Sequence, residues 1–186
     1  MMKKAELRLT GSGGQGVILA TVILAEAGFL DGKFVVQSQS YGPEARGGMC
    51  KAEVVIDEKP ITYTKVQVPN FLLALTQASL NKYSSVLTKD AVIVADASLE
   101  VPASLKAAHT VYQVPILDTA KIKVGRAMTA NIVAVGAISA ILHLASRESL
   151  EKAVTMHIPK GTEELNMKAL SEGIDLIEKL NVPLAS

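Results

Sequence analysis

Short apolar runs alternate along this chain of 186 residues with longer, helix-like segments. The short runs predict β-strands and the longer segments predict helices. Pro69 suits the first turn of one helix, where a backbone N–H would have no partner anyway. The predicted strands cover residues 5–10, 34–36, 51–56, 61–64, 91–95 and 110–114, and the predicted helices cover about 15–29, 69–80, 126–146 and 162–180.

Strands that alternate with helices are typical of an open α/β sandwich. The sequence therefore predicts a single domain over residues 1–186, of the α/β class. We expect a Rossmann-like, open and mostly parallel sheet in a three-layer αβα arrangement. Residues 51–56 and 61–64 flank the turn-forming stretch Asp-Glu-Lys-Pro at 57–60, so they predict an antiparallel β-hairpin inserted into this sheet.

The composition argues against several classes of function. The formal net charge is only +1, and neither a basic face nor an aromatic platform for nucleic-acid binding is present. Cys50 is the only cysteine, which excludes intrachain disulfides and argues against a self-contained iron–sulfur site. The start of the chain lacks a signal-peptide core, and the longest apolar run, 132–142, is too short to span a bilayer. These patterns favour a cytoplasmic protein that binds neither nucleic acid nor membrane.

A glycine-rich loop follows the first predicted strand, in the stretch LTGSGGQGVILA. Gly11, Gly13 and Gly16 form a G-x-G-x-x-G pattern, which allows a tight turn and brings helix N–H groups close to an anion. The lysine of an ATPase P-loop is missing, because Val17 follows the last glycine. The carboxylate that binds ribose in NAD proteins is also missing, because residues 37–38 are Gln-Ser. The loop therefore predicts anion binding, with close strand–helix packing as the structural alternative.

A second loop, YGPEARGG at 41–48, follows the second predicted strand. Pro43 stiffens its turn, and Arg46 presents a planar guanidinium that suits phosphate or carboxylate. Alternatively, Glu44 and Arg46 only brace the loop. In a doubly wound sheet the two loops lie side by side at the carboxyl ends of the strands, and together they predict one anion-receiving rim. The rim residues are Gly11, Ser12, Gly13, Gly14, Gln15 and Gly16 from the first loop, and Tyr41, Gly42, Arg46, Gly47 and Gly48 from the second.

GSGGQGV together with SYGPEARGG resembles the gamma subunit of the 2-oxoacid:ferredoxin oxidoreductases, which include pyruvate, 2-oxoglutarate, branched-chain oxoacid and indolepyruvate enzymes. The resemblance continues through Lys-Ala-Glu-Val at 51–54, the 131–136 helix segment and residues 160–168, so it covers most of the chain. The second loop runs directly into Met-Cys-Lys-Ala-Glu-Val, which looks most like the 2-oxoglutarate type, ahead of the pyruvate type.

The resemblance implies a complex that decarboxylates a 2-oxoacid oxidatively in the presence of CoA and passes electrons to ferredoxin. It implies alpha and beta subunits that hold thiamine diphosphate and magnesium, with iron–sulfur clusters in the beta chain and, in many members of the family, in a ferredoxin-like delta chain. This chain would then be an accessory unit linked to CoA, with no catalytic residue and no metal ligand of its own. His109, His143 and His157 agree with that role, because their spacing is not that of metal ligands.

Two uses of the rim remain open. CoA carries phosphates, for which helix N–H groups and Arg46 are suitable partners. Alternatively, Gln15, Gln39, Tyr41 and Arg46 contact a partner subunit, since tyrosine and arginine are frequent at interface hot spots.

Three further features also have two interpretations. Asp96 ends a predicted strand, where it lies on the rim or caps the following 98–106 segment. The 126–146 helix is apolar on almost every face and rich in small residues, so it is buried in its own domain or forms a homodimer seam. Asn131 is an interior amide or a residue of the site.

Overall fold

The computed structural model describes residues 4–40 and 48–180, in which a mixed six-stranded sheet lies between two layers of helices. The sheet order is β2-β3-β1-β4-β5-β6. β1, β4, β5 and β6 are parallel neighbours, whereas β3 runs antiparallel to both β1 and β2. The predicted α/β class is therefore confirmed. The strands are β1 (Lys4–Ser12), β2 (Phe34–Ser40), β3 (Met49–Asp57), β4 (Phe71–Ala74), β5 (Val92–Asp96) and β6 (Thr110–Val114).

The larger helical layer contains α1, α5, α6 and α7, and the smaller layer on the other face contains α2 and α3. A one-turn helix, α4, leads into a π-helix and then a 3-10 turn before α5 begins. The bounds are α1 (Val17–Leu30), α2 (Gln77–Tyr83), α3 (Ala103–Ala108), α4 (Ile116–Asp118), the π-helix (Thr119–Val124), the 3-10 turn (Ala127–Thr129), α5 (Ala130–Leu142), α6 (Arg147–His157) and α7 (Glu163–Glu178).

Side-chain alternation along the strands creates two hydrophobic cores of unequal size. Leu7 and Leu9 of β1, with Leu73 of β4, belong to the larger core under α1, α5, α6 and α7. Leu72 of β4 and Ile93 of β5 face the opposite way and belong to the smaller core beneath α2 and α3. Because the central strands are buried on both faces, their sequences are continuously apolar rather than alternating.

The predicted hairpin is wrong in its second strand. β3 is the antiparallel strand, but it pairs with β1 and β2, and residues 61–64 form no strand. The segment containing them lies on the sheet instead, held by side chains: the Tyr63 hydroxyl donates to Glu6, and Arg8 Nη2 donates to the Val66 carbonyl over 3.1 Å. Arg8 is buried, and its Nε lies 2.7 Å from Glu53 Oε1, so a buried ion pair between β1 and β3 holds in place the guanidinium that binds Val66.

The helix predicted at 69–80 is wrong in its first half, because residues 71–74 form the buried strand β4. A short apolar run that is buried on both faces has no period that distinguishes strand from helix. The helix begins only at Gln77, after Thr76, whose side-chain oxygen accepts from Ser79 N over 3.3 Å and so caps the first turn.

The long helix predicted at 126–146 is interrupted. α5 ends at Leu142, and His143 adopts a left-handed conformation (φ 49°) with an exposed side chain. A separate helix, α6, which the sequence did not predict, begins after Ser146, whose Oγ accepts from Ser149 N over 3.2 Å. The cap and the amphipathic pattern of Leu150, Ala153 and Val154 were the available signals.

α5 and α7 approach each other backbone to backbone. A Cβ atom added at Gly136 would lie 3.0 Å from Ile174 N, and one added at Gly173 would lie 2.9 Å from the Val133 carbonyl carbon. The small residues of α5 therefore serve an intrachain contact with α7, and the helix is buried within its own domain rather than forming a dimer seam.

Candidate functional site

The glycine loop lies at the point where the chain switches from one side of β1 to the other. From β1 the chain passes through α1 to β2 on one side, and it later returns to place β4 on the other side of β1. The Leu75 N–H donates to the Thr10 carbonyl over 3.0 Å, so the carboxyl ends of β1 and β4 lie together. In open α/β sheets this topological switch point is where ligands bind.

The first loop is braced from within by Gln15. Its Oε1 accepts from Ser12 N over 2.7 Å, and its backbone N–H donates to the Ser12 carbonyl over 3.2 Å. Gly13 and Gly14 are exposed at the tip, and Gly14 has φ 91°, a conformation that favours glycine. The side chain predicted to contact a partner therefore already stabilises the turn.

The start of α1 can accept an anion. Gly16 precedes the helix with φ 71°, and because it has no side chain, it leaves the first-turn N–H groups without a side-chain cap. No acidic residue lies in that turn. The helix dipole and these N–H groups then favour a negative group at the loop.

Asn131, at the beginning of α5, closes one side of this loop. Its side chain is 5% exposed, and its Nδ2 lies 2.8 Å from the position that a Cβ atom would take at Gly16. Sequence reasoning left its role open, because nothing local in the sequence links α5 to the loop after β1. The structure assigns Asn131 to the wall of the glycine loop.

The two predicted loops meet at the described end of the second. The Gly13 N–H donates to the Gly48 carbonyl over 3.2 Å, and Gly11 and Ser12 lie opposite Cys50 and Met49 in the β1–β3 ladder. Gln39 is exposed near the end of β2. The other predicted rim residues of this loop, Tyr41, Gly42, Arg46 and Gly47, lie outside the described residues.

Asp96 is fully engaged by its own chain. It is 2% exposed, its Oδ1 accepts from Ser98 N and Oγ over 3.0 and 2.6 Å, and its Oδ2 accepts from Leu117 N over 2.9 Å. It does not cap α3, which begins at Ala103 after Pro102. Asp96 therefore joins the turn after β5 to the start of α4, and neither earlier interpretation describes it.

A groove of about 330 Å³ lies beside the loop and shares Asn131 with it. Leu19 of α1, Arg126, Met128 and Pro159 also line it, so its wall is largely apolar.

Residues 4–40 and 48–180 contain neither a cluster of metal ligands nor a helix that could cross a membrane. No group of three or more His, Cys, Asp or Glu side chains in these ranges could hold a metal ion. None of their helices combines the length and apolar character needed to cross a bilayer. Burial raises the pKa of the Cys50 thiol, which lowers its thiolate fraction.

Comparison with known proteins identifies the family. The sequence profile of the family described as pyruvate ferredoxin/flavodoxin oxidoreductase matches residues 6–176. The chain belongs to this family. As a gamma-type chain it is a subunit of a 2-oxoacid:ferredoxin oxidoreductase complex, as the resemblance implied.

The similarity extends over whole chains. The 2-oxoglutarate synthase subunit KorC of Methanocaldococcus jannaschii is 42% identical over 95% of this chain and 96% of its own. The pyruvate synthase subunit PorC of Methanothermobacter thermautotrophicus is 32% identical over 95% of this chain and 98% of its own.

Two solved structures share the fold. The gamma subunit of a keto/oxoacid ferredoxin oxidoreductase from Geobacter sulfurreducens has a TM-score of 0.85 and 42% identity, and the match covers 95% of this chain and 97% of that one. The second structure is a 2-oxoglutarate:ferredoxin oxidoreductase from Magnetococcus marinus with 2-oxoglutarate, coenzyme A and succinyl-CoA bound. Its match covers 100% of this chain and 32% of that one, with a TM-score of 0.88 and 19% identity.

Proposed function

We propose that this chain is the gamma subunit of a CoA-dependent oxidoreductase that converts 2-oxoglutarate to its acyl-CoA and passes electrons to ferredoxin. The observation that carries the proposal is the similarity to KorC subunits along the whole chain. Identity to the Methanocaldococcus KorC is 42%, against 32% to the pyruvate-type subunit, which favours 2-oxoglutarate over pyruvate as the oxoacid.

The chemistry in this proposal belongs to partner subunits. Alpha and beta chains hold thiamine diphosphate and magnesium, the beta chain and a delta chain hold iron–sulfur clusters, and the complex works in the cytoplasm. The sequence agrees with this division, because a chain with one cysteine cannot ligate a four-cysteine cluster. This subunit is accordingly non-catalytic.

The glycine loop fits one part of CoA, its phosphates. The uncapped N–H groups at the start of α1 and the exposed tip at Gly13 and Gly14 provide donors and space for an anionic group. Arg46, which the sequence places in the adjoining loop, would add a bidentate donor. CoA supplies the thiol that accepts the acyl group, and the residues of this chain bind and orient its phosphate end.

The CoA proposal is tested by a variant that adds a charge to the loop and keeps the hydrogen bond between residues 12 and 15 that stabilises it. Gln15→Glu keeps an oxygen that accepts from Ser12 N and adds a negative charge beside the predicted phosphate position. A repulsion of about 1 kcal/mol raises KM for CoA by about five-fold in the assembled enzyme, with kcat little changed. The measurement is the dependence of initial rate on CoA concentration at low salt.

The matched control is Gln67→Glu, the same change at an exposed position on the opposite face of the sheet, and it should leave KM for CoA unchanged. Arg46→Ala should act in the same direction as Gln15→Glu. If neither loop variant changes CoA kinetics and the complex remains intact, the loops have no role in CoA binding. If assembly fails while CoA kinetics of the residual complex are normal, the loops contact a partner subunit instead.

The oxoacid is tested on the complex purified with its native partner chains. Rates with 2-oxoglutarate, pyruvate and a branched-chain oxoacid are compared at saturating CoA. We expect 2-oxoglutarate to give the highest kcat/KM. A higher kcat/KM for pyruvate would show that the complex is of the pyruvate type.

A further inference from the structure

The segment 119–129, which comprises the π-helix and the 3-10 turn, carries the most exposed large apolar side chains of the described chain. Ile122 is 72% exposed and Met128 is 78% exposed, whereas the next, Phe29, is 63% exposed. Single exposed apolar residues are ordinary, but two lie on this short segment, and one of them, Met128, also lines an apolar groove, which together indicate an interaction site.

This segment is held firmly in place. Thr119, Ala120 and Val124 are buried in the main core, so the π-helix is anchored on its inner side. The Arg126 N–H donates to the Ala120 carbonyl over 2.9 Å, and Thr129 Oγ1 donates to the Arg126 carbonyl over 2.8 Å. Ile122 and Met128 are therefore presented by a preorganised support, which lowers the entropic cost of binding.

The same segment is basic. Lys121, Lys123 and Arg126 are exposed on it, and the nearest counter-charge to any of them is Glu172, whose Oε2 lies 3.7 Å from Lys123 Nζ at the surface. The whole chain has a net charge of only +1, so this is a local concentration of positive charge. The acidic residues Glu163 and Glu164 lie in the first turn of α7, and the groove is lined there by their neighbours Thr162 and Leu165.

The groove adjoins the segment at its 3-10 turn. Arg126 and Met128 form one wall, and Leu19, Ile158 and Leu165 form others around a volume of about 330 Å³. A space of this size accommodates a large apolar side chain from another protein. The combination is therefore an apolar recess with positively charged groups along one border.

We propose that segment 119–129 and this groove dock the thiamine-binding partner subunits through an apolar side chain flanked by carboxylates. The inference rests on the proposed function, and it adds the surface through which the subunit is attached. Carboxylates of the partner would pair with Lys121, Lys123 and Arg126 while its apolar side chain enters beside Met128. A second copy of this chain is a poorer occupant, because a two-fold contact would bring the same basic patch against itself.

The experiment co-expresses the tagged full-length chain with its alpha and beta partner chains and measures the partner retained after affinity purification. Ile122→Asp combined with Met128→Asp, and separately Lys121→Glu combined with Lys123→Glu, should each reduce retention by about ten-fold or more. Retention by the wild type should weaken as salt rises, and the lysine variant should lose that dependence. All these side chains are exposed, so thermal unfolding of the free subunit should be unchanged.

Matched controls place the same changes elsewhere. Met156→Asp on α6 and the pair Lys89→Glu with Lys106→Glu on the opposite layer should retain partners at the wild-type level. If the wild type binds partners and the segment variants bind equally well, the docking inference is wrong and the proposed function stands. A wild-type chain that retains no thiamine-binding partner overturns both. The free chain could instead self-associate through this surface. If Ile122→Asp combined with Met128→Asp abolishes that self-association and leaves partner binding intact, the surface binds a second copy of the chain.

Discussion

At the scale of single residues, Gly16 satisfies two independent demands. Its backbone is left-handed at φ 71°, and the space where a side chain would begin is occupied by the Asn131 amide, with the added Cβ position 2.8 Å from Nδ2 and 3.0 Å from Cβ. Either demand alone favours glycine, and together they allow α5 to pack directly against the start of α1.

Gly16→Ala should therefore lower the free energy of unfolding by about 2–3 kcal/mol, from backbone strain and from overlap with Asn131. Gly14→Ala has a comparable backbone (φ 91°) but no neighbouring atom within 4 Å, and should lower it by only about 1 kcal/mol. Urea denaturation of the free subunit measures both.

A double mutant separates the two contributions at Gly16. Adding Asn131→Ala removes the two closest atoms, Nδ2 and Cγ, and leaves only Cβ at 3.0 Å, so the double variant should lose less stability than the sum of the two single variants, by more than about 0.5 kcal/mol. Strict additivity would show that Asn131 does not confine this position.

At the scale of elements, the contact between α5 and α7 depends on two glycines that face each other. Gly173→Ala should lower the free energy of unfolding by about 2–3 kcal/mol, because the new methyl group would press on the Val133 carbonyl. Gly161→Ala, at φ 83° with open space around it, is the control and should lower it by about 1 kcal/mol. Equal losses in thermal or urea unfolding would contradict this account of the crossing.

A second inter-element contact joins the end of α1 to the start of α6 through one carboxylate. Asp31 accepts from the Ser146 N–H, from Ser146 Oγ over 2.9 Å and from Ser149 Oγ. Burial by itself raises the pKa of Asp31, but the hydrogen bonds from Ser149 and Ser146 outweigh it and lower the pKa below its ordinary value. A depressed carboxyl pKa contributes stability above the unfolded pKa and loses it as pH falls through the folded pKa.

Asp31→Ala should accordingly lower the free energy of unfolding by roughly 1 kcal/mol at pH 7, the contribution of a charged cap at a helix start. The difference from wild type should shrink below about pH 4, as the carboxyl becomes protonated. Asp90→Ala, an exposed aspartate in a turn, should show almost no difference at either pH. A loss that stays constant between pH 7 and pH 3 would show that charge is not involved.

At the scale of the whole molecule, the residues around the switch point indicate whether the glycine loop binds a dinucleotide such as NAD or the phosphates of CoA. Position 37, where an NAD protein needs a carboxylate, is a glutamine whose Nε2 donates to Thr21 Oγ1 over 3.1 Å and so serves packing of α1 against β2.

CoA should therefore raise the midpoint of thermal unfolding of the free subunit, by roughly 3–6 °C at ten times its Kd, and NAD, NADP and FAD should not. A thermal-shift titration with each compound measures this. A clear nicotinamide response would reverse the assignment and favour a free-standing nucleotide-binding module.

The sequence by itself determined the α/β class, the glycine loop between strand and helix, the last helix, the family, and two strands predicted at 91–95 and 110–114, which the structure has at 92–96 and 110–114. These features depend on local signals: continuous apolar runs, glycines at fixed spacing, and two motifs with family character. Local signals were insufficient at 71–74, where an apolar run was taken for a helix, and at 61–64, where apolar residues pack on the sheet without pairing.

Only the tertiary structure decided what depends on distant parts of the chain. It placed β3 between β1 and β2, brought Asn131 against Gly16, turned the small residues of α5 toward α7, and engaged both oxygens of Asp96 within the chain. It also exposed Ile122 on an anchored π-helix and Met128 on the 3-10 turn after it, neither of which a local pattern had indicated. The physical reason is common to all of these: which face of an element is buried depends on the partner that tertiary packing brings to it, and the local sequence does not specify that partner.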